Sequence, residues 1–290
     1  MATYYINADS GNDSTGAGTS GNPWATISKA ISSSVATDTI MLQKSTAHYL
    51  WANQTISNRT LSGVTNNPLD AVIDAGGLDV TYTFGNPVAF TGLRFTNLIK
   101  TGAGKVFDYS TGVTSIFTNC QFDTIKFWPS NLNFNGCWSS TNVAMNITMT
   151  NCLIYNVVQA AGSTSGGSMF AANTSTGPGS LDLEHTTIYI PSGSKLGQVV
   201  VMQYGSNALA ITVKNCLVQN LDATMASFSG SSSTSLTKNA SYSFLNGTNM
   251  TTGLTLVAGN STADPLFIDP STNFNFNLQA ASPAIGAGTL

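Results

Sequence analysis

The chain has 290 residues, 42% of them hydrophobic and only 8% charged, with a formal net charge of -3 at pH 7. That apolar share excludes disorder and suffices for a continuous core, while the scarcity of charge leaves hydroxyl and amide side chains to make the surface. Ten Lys and Arg scattered singly give no stripe for phosphates and no juxtamembrane cluster, and no apolar run is long enough to span a bilayer, so neither nucleic acid nor a membrane is an expected partner.

In chain order, residues 3 to 9 read as a first strand, followed by a glycine-rich loop from Ser10 to Asn22. This loop lacks the lysine and the strand-to-helix spacing of a phosphate loop. Thr26-Ile-Ser-Lys-Ala-Ile31 places Ile27, Ala30 and Ile31 on one helical face, with Thr26 as its cap. Asp38 to Gln43 and Thr60 to Val64 then open a series of strands.

From Phe90 onward a pattern recurs: Phe90-Thr-Gly-Leu-Arg-Phe95, Phe117-Thr-Asn-Cys-Gln-Phe122, Met149-Thr-Asn-Cys-Leu-Ile154, Leu183-Glu-His-Thr-Thr-Ile188 and Val213-Lys-Asn-Cys-Leu-Val218. With the Gly, Asn or His as position zero, apolar residues tend to fall at minus four, minus two, plus one, plus three and plus six, which is strand, bend, strand. A repeat of roughly 24 to 34 residues signals a solenoid, in which each turn buries its apolar face only against its neighbours. The turns are expected to continue to about Phe244, with Leu132 to Cys137 as a further side of one turn and Gly162–Gly167 and Thr174–Ser180 as loops leaving the coil. The helix would cover the open core at the first turn.

Cys120, Cys152 and Cys216 take the plus-one core position and Cys137 a similar setting. All four are expected as buried free thiols, because no metal-type spacing occurs and side chains stacked on parallel strands point the same way.

The chain resembles the right-handed parallel β-helix superfamily, the pectate-lyase-like fold. Tyr4 to Asp13 and Pro23 to Ile31 resemble the usual start and capping helix; Asp264 to Pro270, Leu278 and Ala281 to Gly288 resemble the usual end. The resemblance covers nearly the whole chain and implies one all-β domain, with residues 1–35 as first strand, loop and capping helix and 36–290 as the coil with a C-terminal cap. It leaves function open, since the architecture hosts lyases, hydrolases, adhesins and phage spikes alike.

The calcium-binding Asp cluster and the proton-abstracting base of pectate lyases do not map here. The Asp residues are isolated, and Arg94, at an outward position, reads as a solvated surface residue before a catalytic one. Asp182 and Glu184 are the best carboxylate pair, both outward and about 7 Å apart along one strand, a separation that suits an inverting glycosidase. The same register places Lys214 beside Glu184, an ordinary surface ion pair worth about 0–1 kcal/mol. His48 and His185 lie far apart in sequence. No metal site and no cofactor are expected. Tyr155 and Tyr189, outward at plus four in adjacent turns, are expected as a pair that is shielded by a loop, stacks on sugar, or packs against another subunit. Trp128 and Trp138 flank the irregular segment, and Trp128 joins the two tyrosines as a contact candidate.

Three functional classes follow. The leading expectation is a non-enzymatic structural protein on a phage particle, a capsid decoration, head fibre or spike subunit, folded in the host cytoplasm without a signal peptide. It would assemble as a homo-oligomer, by the resemblance a trimer, with other virion proteins and with host surface polysaccharide as a further contact. The alternatives are a polysaccharide lyase or glycoside hydrolase, and a non-catalytic glycan-binding adhesin.

Overall fold

A computed structural model describes residues 1–51, 54–77, 79, 81–85, 87–103, 105–109, 112–128, 136–141, 144–159, 168–174, 179–194, 198–204, 209–221, 226–231, 236–247, 250–251 and 254–289. The chain is a parallel β-helix. Three sheets, of ten, eight and seven strands, run along the coil, with a three-stranded sheet at one corner. One turn illustrates the path: Val113–Thr118 in the ten-stranded sheet, Gln121–Phe122 in the eight-stranded one, Ile125–Trp128 at the corner, Gly136–Thr141 in the seven-stranded sheet, then Met145–Thr150 beside its starting point. The register is continuous, so Phe117 lies between Phe90 and Met149.

Around Asn119 the expected core positions, Ser115, Phe117, Cys120, Phe122 and Ile125, are all buried; at the later turns the plus-six position leaves the core, with Pro191 half-buried and Leu221 exposed. Because parallel strands are about 4.8 Å apart, like residues stack. Phe90 lies on Phe117 at 5.0 Å, Phe95 on Phe122 at 5.1 Å, and Phe107, Trp138 and Phe170 continue one another at 5.0 and 4.9 Å. Trp138 is thus a core residue. Leu132 to Asn135, Gly162 to Gly167 and 175–178 lie outside the described residues; the strand that follows the first of these begins at Gly136.

Position zero is the bend between the ten- and eight-stranded sheets. Gly92, Asn119, Asn151, His185 and Asn215 all have φ between 49° and 63°, the left-handed region that asparagine and glycine tolerate best. A sixth bend, at Tyr242 with φ 49°, escaped the sequence pattern because its aromatic side chain does not resemble the others. Gly92 is glycine for a second reason: a Cβ there would lie 2.6 Å from the Asn66 Cα.

The plus-one column begins with the apolar Leu93, buried in the core, and from Asn119 onward it is Cys120, Cys152, Thr186, Cys216 and Ser243, all small polar donors. Each thiol or hydroxyl donates to carbonyls of the bend, for example Cys216 Sγ to Lys214 O at 3.2 Å and Thr186 Oγ1 to Glu184 O at 3.1 Å. These carbonyls already accept a backbone N–H from the preceding turn, Glu184 O from Asn151 N and Lys214 O from His185 N, so the small polar side chain adds a second donor at each bend. All four cysteines are free and buried. Burial holds the Cys137, Cys152 and Cys216 thiols well above their ordinary range, the last at about 12, so they are structural and unreactive.

The first turn is closed as expected. The helix Ile27–Ser33 is capped by Thr26, whose side chain accepts from Lys29 N at 3.1 Å. It lays Ile27 and Ala30 onto the core, with Ile31 partly buried against it. Arg59 secures its far end, donating to Ser34 O at 2.7 Å and Ile31 O at 3.3 Å, where a cation also complements the helix dipole. The coil's other end is built differently. Thr255–Ala258, last in the ten-stranded sheet, is exposed at all four positions. The C-terminal antiparallel hairpin, Phe267–Asp269 with Asn275–Leu278, packs on the flank of the coil, where Phe267, Phe276 and Leu278 meet Leu153, Tyr155, Tyr189 and Leu217.

Candidate functional site: a groove along the asparagine bend

The folded-back hairpin makes one wall of a groove of about 480 Å³ that follows the bend. Asn119, Asn151 and His185 line it from three successive turns, with Gln121, Leu153 and Thr187 two residues further along each. Phe276 of the hairpin and the Asn66–Pro68 loop complete it. Clefts of this size accommodate small ligands. Its donors and acceptors are mainly carboxamides: Asn66, Asn67, Asn119, Gln121 and Asn151, joined by an imidazole and a hydroxyl. The carboxamides are ordered along the coil, Asn151 Nδ2 donating to Asn119 Oδ1.

At the far end, Asn215 Oδ1 accepts from Thr289 N at 3.0 Å while its Nδ2 donates to Thr289 O at 2.7 Å. This two-point pairing fixes which side of the amide carries nitrogen. Asn215 Nδ2 also lies 3.1 Å from His185 Nε2, so the carboxamide links the C-terminal backbone to the preceding bend residue.

The residues singled out from sequence are distributed elsewhere. Asp182 and Glu184 do share the outward face of Gly179–Glu184, and Glu184 pairs with Lys214 at 3.0 Å; that hydrogen bond holds its carboxyl below the usual range. Tyr155 and Tyr189 point away from the core but are 6% and 2% exposed. Of the three readings for this pair, shielding is the one realised. The hairpin covers them, with Phe274 and Phe276 against Tyr155 at 5.0 and 5.1 Å and Phe276 against Tyr189 at 5.6 Å. Sugar therefore cannot stack on them, and Phe276 is the aromatic at the groove. Trp128 ends the strand Ile125–Trp128, and its side chain lies outside what is described.

Arg94 is not simply solvated. It pairs with Asp123 at 2.5 Å, with side-chain exposures of 30% and 3%. Thr96 Oγ1 donates to Asp123 Oδ1 at 2.6 Å and the Tyr155 hydroxyl to Oδ2 at 3.2 Å. Burial, then the Asp123 charge, pushes the Tyr155 phenol up to about 12. Two turns earlier, His48 Nδ1 meets Asp74 Oδ2 at 2.7 Å, and the Asn97 amide and Gly76 N–H donate to the same carboxylate. Burial raises the Asp74 pKa, but these donors outweigh it and leave the group below its ordinary value. Sequence alone missed both clusters, because Arg94 and Asp123, and His48 and Asp74, meet diagonally between turns, two residues out of direct register, unlike Glu184 and Lys214. Among the described residues no group of three His, Cys, Asp or Glu is gathered as for a metal.

No protein-family model matches the chain, and no curated protein matches it. Among solved structures it is similar to a rhamnogalacturonan lyase, with a TM-score of 0.45 and 13% identity, over 83% of this chain and 74% of that one.

Proposed function

We propose that this chain is a non-catalytic structural β-helix on the surface of a phage particle, and that it docks a neutral glycan in the groove along the asparagine bend. The observation that carries the docking reading is the lining: carboxamides and a hydroxyl, an aromatic wall and no carboxylate, a set that suits a polyhydroxylated chain. Of the two carboxylates considered for catalysis, Glu184 is held in an ion pair with Lys214, and Arg94 is held by Asp123. The particle setting draws on composition, since a surface low in charge and rich in Asn, Ser and Thr suits an exposed, inert coat.

Incubation with a polysaccharide panel tests the reading. Retention of the protein on a glycan without new reducing ends or unsaturated products is expected. Sustained product release that is lost in Glu184→Gln would overturn it in favour of a glycosidase. Mass spectrometry of purified particles is expected to contain the chain, and light scattering is expected to give the mass of three copies.

A further inference from the structure

The core column two residues before each bend runs Phe90, Phe117, Met149, Leu183, Val213 and Ala240 in unbroken register, and every member is 0–1% exposed because the next rung lies on it. Leu256 continues the column on Ala240 but is 48% exposed, since Thr255–Ala258 is the last strand of the ten-stranded sheet and has a neighbour on one side only. Its far edge therefore offers main-chain N–H and C=O groups to another strand. The first strand of the same sheet, Thr3–Ile6, has its edge closed by the chain itself: Tyr5 N donates to Gly18 O at 2.8 Å and Tyr5 O accepts from Trp24 N at 3.1 Å. Open edges are commonly guarded by a charge, a proline or a bulge. Asn239 to Ala263 contains no charge and no proline, and the register shift at Val257 covers nothing, that side chain being 61% exposed.

We propose that this edge is a docking site for an extended, uncharged segment of another protein chain, which adds as one more rung and sets an apolar side chain on Leu256. The site involves no groove residue and is independent of glycan docking. Three observations select the occupant. The column lacks one apolar residue beyond Leu256, and an added strand supplies it while its main chain pairs with the open edge. The stretch from Asn239 to Ala263 has no charge to answer one on the partner, so an uncharged segment is the complementary one. The exposed rung is four residues, about 13 Å long, so two such ends meeting would bury well under the ~800 Å² per partner of a stable interface, and the first turn of a second copy has no free edge to give.

Fluorescence anisotropy of a labelled, end-blocked peptide copying Met145–Thr150 tests this. That strand is uncharged, is paired on both sides inside the coil and turns Met145, Ile147 and Met149 to the core. Saturable binding to the full chain is expected, weakened about tenfold by Leu256→Lys, which places a charge on the edge, with an unchanged melting temperature because that side chain is already half exposed. A strand turns alternate main-chain N–H groups to one neighbour, so N-methylation of the peptide at its Asn146 and Thr148 positions, or at its Ile147 and Met149 positions, is expected to abolish binding in one case and spare it in the other. No saturable binding, binding indifferent to Leu256→Lys, or equal tolerance of both N-methylated peptides would overturn the proposal. A mass of two copies that falls to one in Leu256→Lys, without peptide binding, would overturn it in favour of self-association. Peptide binding lost in Asn151→Gly would overturn it in favour of the groove.

Discussion

The two ends of the coil solve the same problem differently. At the first turn a seven-residue helix lies across the core, capped by Thr26 and tied down by Arg59. At the last turn Leu256 and Val257 remain 48% and 61% exposed, while the C-terminal hairpin is spent on the flank. One terminal segment closes the core; the other builds a groove wall. The hairpin's contribution is therefore local, and the helix's is global.

Ile27→Ala should cost the most, about 2–5 kcal/mol for a fully buried isoleucine at the sealed end, read as a lower urea midpoint for the whole coil. Arg94→Met leaves the Asp123 carboxylate buried without its cation and should cost about 1–3 kcal/mol, toward the lower end because Arg94 is partly solvated; a chemical denaturation curve measures it. Phe267→Ala should release the hairpin and make Tyr155 and Tyr189 available to nitration, while moving the main unfolding transition by less than about 1 kcal/mol, since the flank can open by itself. A large cooperative loss in that variant would erase the distinction between the ends.

Acid should separate the ends as well. Asp38 is held low by the Ala2 and Val35 N–H groups, Asp9 by those of Thr46 and Ala47, and Asp70 by Lys44; with Asp74, all lie in the first few turns. Carboxyls with depressed folded pKa values stabilise fully above their unfolded value near 4 and lose that contribution as pH falls through the folded value. Hydrogen exchange should therefore accelerate first at the helix-capped end as the pH falls below about 4. The smallest effect is expected for Lys214→Ala, about 0–1 kcal/mol by denaturation, because the Glu184 pair is solvent-screened.

The coil was legible in sequence because each repeat carries its own strand–bend–strand pattern; the core columns, the helix with its Thr26 cap and the Glu184–Lys214 neighbours follow from register alone. The groove was not. Its floor was visible as the zero positions, but Phe276 and Thr289 reach Asn151 and Asn215 only because the hairpin turns back along the flank, and no local periodicity encodes that direction. The same fold-back explains why Tyr155 and Tyr189, outward by register, are buried.

Hydrogen exchange of the protein alone and with a saturating retained glycan tests the central claim most directly. Protection is expected at residues 119–121, 151–153 and 274–278, the groove's floor and wall. Protection confined to Gly179–Glu184, around Asp182 and Glu184, would contradict it.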